Sequence, residues 1–211
     1  KFDRQKNVMI AAGLCAADDP RTQAELQTLY EERVKSLVID VETGMEAPAE
    51  YTLDRVAKFK TDAERNRYRV VSTTKDTQGE LEAVVLPISG KGLWSQIYGY
   101  IALDKEINTV RGITFYKHGE TPGLGAEVEN AAWQDQWKGI YKGQQQDVRK
   151  QILDDQGKLV SIVLKKTMGT ERDKHAVDGL AGATITCNGV ADFLASDLKA
   201  LDSYLSKLRT S

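Results

Sequence analysis

The chain has 211 residues, 41% of them hydrophobic and 28% charged, with a formal net charge of −2. That is the composition of a folded globular protein, large enough for one substantial domain or two small lobes. The near-neutral balance, with Lys and Arg dispersed, gives no general pull toward nucleic acid, and no run of about eighteen apolar residues offers a bilayer span.

Residues 2–17 place Val8, Met9, Ile10 and Leu14 on one side and predict a helix, broken by Asp18-Asp19-Pro20. Residues 22–35 predict a second helix. Thr22 and Glu25 stand in capping-box spacing, and Leu26, Leu29, Tyr30 and Val34 share a face. A strand is expected over 36–42, stopped by Gly44, and a short helix over 52–59. Strands are then expected over 67–72, 83–88, 96–103, 108–116 and 158–166. Short turns, not helices, join several of these. An α+β fold follows, with a twisted, mainly antiparallel sheet and helices packed on it. One domain over 1–211 is expected, with an N-terminal helical portion over about 1–60 that carries no sign of chemistry.

Two stretches stand apart. The first, His118-Gly119-Glu120-Thr121-Pro122-Gly123-Leu124-Gly125-Ala126-Glu127, is a turn whose glycines let backbone approach a ligand. The second is Val177-Asp178-Gly179-Leu180-Ala181-Gly182-Ala183-Thr184-Ile185-Thr186-Cys187-Asn188-Gly189-Val190. A helical pattern follows it, with Val190, Phe193, Leu194, Leu198, Leu201, Leu205 and Leu208 at three- and four-residue spacing. A flexible turn thus feeds a helix N-terminus, where unpaired N–H groups and the helix dipole suit a phosphate. Plain N-capping by Thr184 remains open on these residues alone. Neither stretch is a Rossmann fingerprint, a P-loop or a nucleophile elbow. His118 and His175 lack a metal-site neighbourhood and read as solvated loop residues. Cys15 and Cys187 match no zinc spacing; two free thiols are expected, with a disulfide the alternative.

Asp178-Gly179-Leu180-Ala181-Gly182-Ala183-Thr184 resembles the flavinylation motif of the FMN-binding domain family, Asp-Gly-X-Ser/Thr-Gly-Ala-Thr, with Ala181 departing from it. Residues 92–103, 112–116 and 120–127, the Trp133–Trp137 region and residues 178–190 together resemble the NqrC family, the flavin-bearing C-type component of the sodium-translocating NADH:quinone reductase (Nqr) complex. The resemblance covers most of the chain and is densest from Ile88 onward. It implies an electron carrier holding one covalent FMN on Thr184, in a complex that passes electrons from NADH to a quinone and pumps Na⁺. Glu120, Thr121 and Leu124 match a loop lying against the flavin ring, and Trp94 and Lys166 match residues lining the same pocket. Asp178, Gly182, Ala183, Ile185 and Thr186 complete the expected FMN site, without a metal.

The implied partners are the other Nqr subunits and a Mg²⁺-dependent flavin transferase, since a threonine hydroxyl is too weak a nucleophile to act unaided. The implied location is the bacterial inner membrane, with this domain on the periplasmic side and a single N-terminal helix as anchor. Lys1, Arg4 and Lys6 suit a segment just outside such a helix, and equally a solvated helix end. Three alternatives stand beside this reading: the sibling RnfG component of the Rnf-type ferredoxin:NAD⁺ oxidoreductase complex, a free-standing FMN-dependent reductase, and a binding module in which the motif only caps a helix.

Overall fold

The computed structural model describes residues 2–166 and 172–210. The N-terminal part holds α1 (Phe2–Ala12), α2 (Gln23–Arg33), β1 (Val34–Asp40), β2 (Met45–Glu46), α3 (Leu53–Val56) and α4 (Asp62–Arg67). Then come β3 (Tyr68–Lys75), β4 (Leu81–Lys91), β5 (Gln96–Asp104) and β6 (Val110–Lys117). After β6 lie a 3-10 turn (Gly125–Glu129), α5 (Ala131–Trp137), β7 (Ile140–Tyr141), β8 (Gln144–Gln145), β9 (Val163–Lys165), β10 (Ala176–Asp178) and α6 (Thr184–Arg209).

Six strands form one sheet in the order β2-β1-β3-β4-β5-β6, antiparallel at every step. This is the expected α+β architecture. Alternation along the strands sends side chains to two covered faces. Val84, Leu86 and Ile88 of β4, with Ile97, Ile101 and Leu103 of β5, meet Val190, Phe193, Leu194, Leu198, Leu201 and Leu205 of α6. Val85 and Ala102 meet Val8, Ala11 and Ala12 of α1 on the opposite face. The apolar stripe of α6 therefore has the role its spacing predicted.

The Thr22–Glu25 capping box is present at the start of α2. The first helix ends earlier than expected, at Ala12, with Gly13 in the left-handed region at φ 75°. The helix expected over 52–59 contracts to α3, and the sequence reading did not single out α4. The strand expected over 158–166 survives only as β9. Ser161, at φ 63°, breaks the extended run just before it. The partner of β9 is β10, and the two run parallel: Val163 faces Ala176 and Lys165 faces Asp178. Among the described residues no helix is long and apolar enough to cross a membrane.

Two glycines set how close α6 lies to β4. A Cβ on Gly90 would sit 2.2 Å from Phe193 Cβ, and one on Gly189 would sit 2.3 Å from the Lys91 carbonyl oxygen. The helix thus rests directly on the backbone that leaves β4. Gly189→Ala is expected to force the two apart and cost about 1–3 kcal/mol, as overpacking does. The checking measurement is a urea unfolding midpoint, which falls in the variant while the slope is unchanged.

Candidate functional site

β4 and β5 are joined by a four-residue turn, Gly92 to Ser95, closed by the Gly92 N–H donating to the Ser95 carbonyl at 2.8 Å. The 118–124 loop leaves β6 at the same end of the sheet, where Lys117 pairs with Tyr98. The close seating of Gly189 on Lys91 brings the start of α6 to this end as well. Two loops and one helix N-terminus therefore converge, though 66 residues separate Glu120 from Thr186.

Glu120 joins them. Its side chain is 5% exposed, and its carboxylate accepts the N–H groups of Leu93 (3.1 Å), Trp94 (3.0 Å) and Ser95 (3.0 Å). It also accepts the Ser95 hydroxyl at 3.4 Å and the Thr186 hydroxyl at 2.7 Å. The Ser95 oxygen in turn accepts the Gly119 N–H at 2.6 Å. Burial raises the Glu120 pKa, but the bonds from Thr186 and from the three turn N–H groups outweigh it and hold the carboxyl below its ordinary value. His118 supports the loop: its Nδ1 accepts the Glu120 N–H at 3.2 Å, and its Nε2 lies 3.1 Å from a Glu129 carboxylate oxygen.

The N-terminus of α6 is open. Ala183 occupies the cap position and supplies no side-chain bond, and the first intrahelical bond runs from the Cys187 N–H to the Ala183 carbonyl. The N–H groups of Thr184, Ile185 and Thr186 have no partner among the described residues. Gly182 makes the turn into the helix at φ 71°, a region that favours glycine, and a Cβ there would sit 2.9 Å from Leu124 Cδ2. Leu124 thus lies over the motif. Four large apolar side chains are exposed here: Trp94 at 70%, Ile185 at 59%, Leu93 and Leu124. They form a local apolar surface beside free backbone donors. That combination suits a flat ring carrying a phosphate.

Thr184 and Thr121 are exposed, Ala183 is buried, and Gly182 and Ala181 are exposed. Asp178 is fixed through its backbone: its N–H donates to Gln136 Oε1 at 3.1 Å and its carbonyl accepts Trp133 Nε1–H at 2.8 Å. Lys166 leaves β9 beside the motif, because Lys165 pairs with Asp178 and its carbonyl accepts the Gly179 N–H; the Lys166 side chain is exposed. Trp94, Glu120, Thr121, Leu124 and the start of α6 lie at one end of the sheet, while Asp178 and Lys166 lie on or next to the β9–β10 pair.

Other expectations change. Neither histidine is a solvated loop side chain: His118 is nearly buried, and His175 Nδ1 lies 2.8 Å from the Gln151 carbonyl oxygen. The loop around His118 encloses it, and His175 is half-buried. Cys15 and Cys187 are free thiols. The Cys187 sulfur accepts the Leu180 N–H at 3.2 Å and so shapes the motif turn. Among the described residues no group of His, Cys, Asp and Glu is arranged to hold a metal. Sequence reasoning missed Ser95, whose hydroxyl ties the 92–95 turn to the 118–124 loop. The only sequence signal was a small polar residue in a hairpin turn.

An open helix N-terminus beside an exposed apolar surface suits a flat ring carrying a phosphate, and comparison with known proteins gives the class as FMN-binding. The family described as FMN-binding domain matches residues 92–199. The C-type subunit of the Na(+)-translocating NADH-quinone reductase of Yersinia pestis is 39% identical over 208 residues, covering 90% of this chain and 72% of its own. Its counterpart in Pseudomonas aeruginosa is 35% identical, covering 99% and 83%. Two solved structures share the fold. NqrC of Shewanella oneidensis aligns with a TM-score of 0.78 at 31% identity, over 100% of this chain and 99% of that one. The equivalent protein of Parabacteroides distasonis aligns at 0.75 with 25% identity, over 97% and 92%. The chain belongs to the FMN-binding domain family and, within it, to the NqrC group of the Na(+)-translocating NADH-quinone reductases.

The Glu120 linkage has a defined pH signature. Its folded pKa lies below the unfolded value, so its stabilisation is complete above the ordinary carboxylate pKa and is lost as pH falls through the folded value. Glu120→Gln is expected to lower stability by about 2 kcal/mol at neutral pH, through lost charge-assisted bonds. Urea unfolding across an acid titration checks this: the gap between wild type and variant narrows as pH drops below about 4.

Proposed function

We propose that this chain is an electron-carrying subunit of a sodium-pumping NADH:quinone reductase and holds FMN through a phosphoester to Thr184. The observation that carries this reading is the exposed Thr184 hydroxyl at an uncapped helix start, set beside exposed Trp94, Leu124 and Ile185. Among the described residues the surrounding site is an exposed surface. A cavity of about 460 Å³ lies elsewhere, between Gly157–Ser161 and the C-terminal half of α6. A ligand on open surface loses little water on binding and is held weakly by contact alone; a covalent tether solves that problem.

For attachment, the Thr184 hydroxyl would be the acceptor: its oxygen would bond to the flavin-side phosphorus of a flavin dinucleotide as the bond from that phosphorus to the leaving nucleotide phosphate broke, and its proton would pass to a base of the transferase. The free N–H groups of Thr184, Ile185 and Thr186, with the positive end of the 26-residue α6, would hold the resulting phosphate charge. Trp94, Leu124 and Ile185 would cover the ring, Thr121 would meet its polar edge, and Lys166 would favour the electron-rich form. Bound FMN would supply one- and two-electron transfer. Ala181 removes a hydroxyl that other motifs carry, but the backbone donors remain.

The chain carries no nicotinamide fingerprint, so its electrons would come from another redox centre of the complex and pass on toward ubiquinone or another quinone. The remaining Nqr subunits and a separate Mg²⁺-dependent flavin transferase are the proposed partners. A single N-terminal helix outside the described residues would anchor the domain on the periplasmic side of the bacterial inner membrane. The Yersinia and Pseudomonas relatives bear the quinone reductase name, which favours this reading over RnfG, the free-standing reductase and the non-redox module.

Three outcomes are expected. The chain, co-expressed with the transferase, keeps flavin fluorescence after denaturation, and peptide mass spectrometry finds FMN on Thr184. Thr184→Ala folds and is colourless. Leu124→Ala keeps the attachment but shifts the flavin absorption bands and midpoint potential in spectroelectrochemical titration; an unchanged spectrum and midpoint count against the ring placement.

A further inference from the structure

We infer that Glu120 determines which threonine receives the flavin phosphate, by taking the Thr186 hydroxyl out of competition. The inference rests on the covalent reading above and adds a residue that sets its specificity. Two hydroxyls of the same chemistry stand in the first turn of α6, at Thr184 and Thr186. Both are near free N–H groups, so the helix dipole does not separate them.

Their surroundings do. An acceptor oxygen needs an open line of approach for phosphorus and a proton free to leave. Thr184 is exposed, and no bond to its hydroxyl occurs among the described residues. Thr186 is 1% exposed, and its hydroxyl donates to Glu120 Oε2 at 2.7 Å. The Gly125 backbone roofs the same oxygen: a Cβ there would sit 2.6 Å from Thr186 Oγ1 and 2.9 Å from Glu120 Oε2. Glu120 cannot follow Thr186 outward, because Leu93, Trp94 and Ser95 hold its two oxygens at 3.0–3.1 Å. Its negative charge also opposes a phosphate bonded at that oxygen. In this arrangement the carboxylate touches neither Thr184 nor a ring resting on the exposed face. It acts through Thr186 and is a positioning residue.

The test uses the full chain co-expressed with its transferase, with flavin peptides located by mass spectrometry. Thr184→Ala is expected to carry no flavin on Thr186. Adding Glu120→Ala to Thr184→Ala is expected to place flavin on Thr186, at least ten-fold above the single variant. Glu120→Leu, which keeps much of the side-chain volume but offers no acceptor, replaces Glu120→Ala if circular dichroism shows the latter unfolded. Loading of Thr186 in Thr184→Ala alone would overturn the selection, as would a folded double variant with no flavin. In the flavin-free wild type, the Thr186 hydroxyl proton should exchange slowly enough to be seen by NMR and should vanish in Thr186→Val. A hydroxyl proton exchanging as fast as exposed threonines also overturns the proposal. A wild-type chain with no covalent flavin would instead overturn the attachment reading, and the selection with it.

Discussion

A single buried carboxylate holds the candidate site together. Removing an ion from water is costly unless its lone pairs are filled. Glu120 meets that condition with three backbone N–H groups and two hydroxyls, contributed by the β4–β5 turn and by α6. Packing of α6 on β4 brings these elements near one another, and the carboxylate joins them. The turn belongs to a hairpin whose geometry is complete without the loop, and the helix begins more than sixty residues later in the chain. Because the carboxylate is turned inward and saturated, the surface it organises presents exposed apolar side chains and, among the described residues, unpaired helix N–H groups.

The position of that surface is set by packing further inside. α6 lies on β4 with glycine at both close approaches, Gly90 and Gly189, so the helix axis is fixed relative to the backbone that becomes the Gly92–Ser95 turn. Asp197, midway along α6, adds a polar anchor: it accepts the Ser89 N–H at 2.8 Å and pairs with Arg69 at 3.1 Å. Burial pushes the Asp197 carboxyl up, while the charge of Arg69 and the Ser89 bond oppose the rise. On the other side of the motif, Trp133 and Gln136 of α5 hold the Asp178 backbone, and β9 holds its strand. The motif turn is thus braced from both ends, and Ala181, Gly182, Thr184 and Ile185 are left as its exposed rim.

For an electron carrier this division has a physical logic. A redox ring must be reachable by its partners, so it cannot lie deep in a closed pocket. An open surface provides few contacts, so orientation must come from a rigid frame and a tether. The frame here is an antiparallel sheet covered on both faces, and the proposed attachment point, Thr184, is the first residue of α6.

The sequence alone determined the secondary-structure periods, the α+β class, the capping box of α2, the long amphipathic α6 and the Gly-Ala-Thr entry to it, because these depend on local propensity and side-chain spacing. It also marked the 118–127 turn, through its glycines, and Trp94 and Lys166, through family resemblance. Only the tertiary structure decided that Glu120 faces inward to the 92–95 turn and Thr186, that Ser95 belongs to the linkage, and that His118 is enclosed. It likewise decided that the segment expected as one strand over 158–166 shrinks to a short parallel partner of β10, broken by Ser161. Each of these depends on which distant backbone donor or acceptor meets a given side chain. A chain read in order has no term for that meeting: the Gly-Ala-Thr pattern singles out Thr184, and only the folded structure shows the Thr186 hydroxyl engaged by a buried carboxylate.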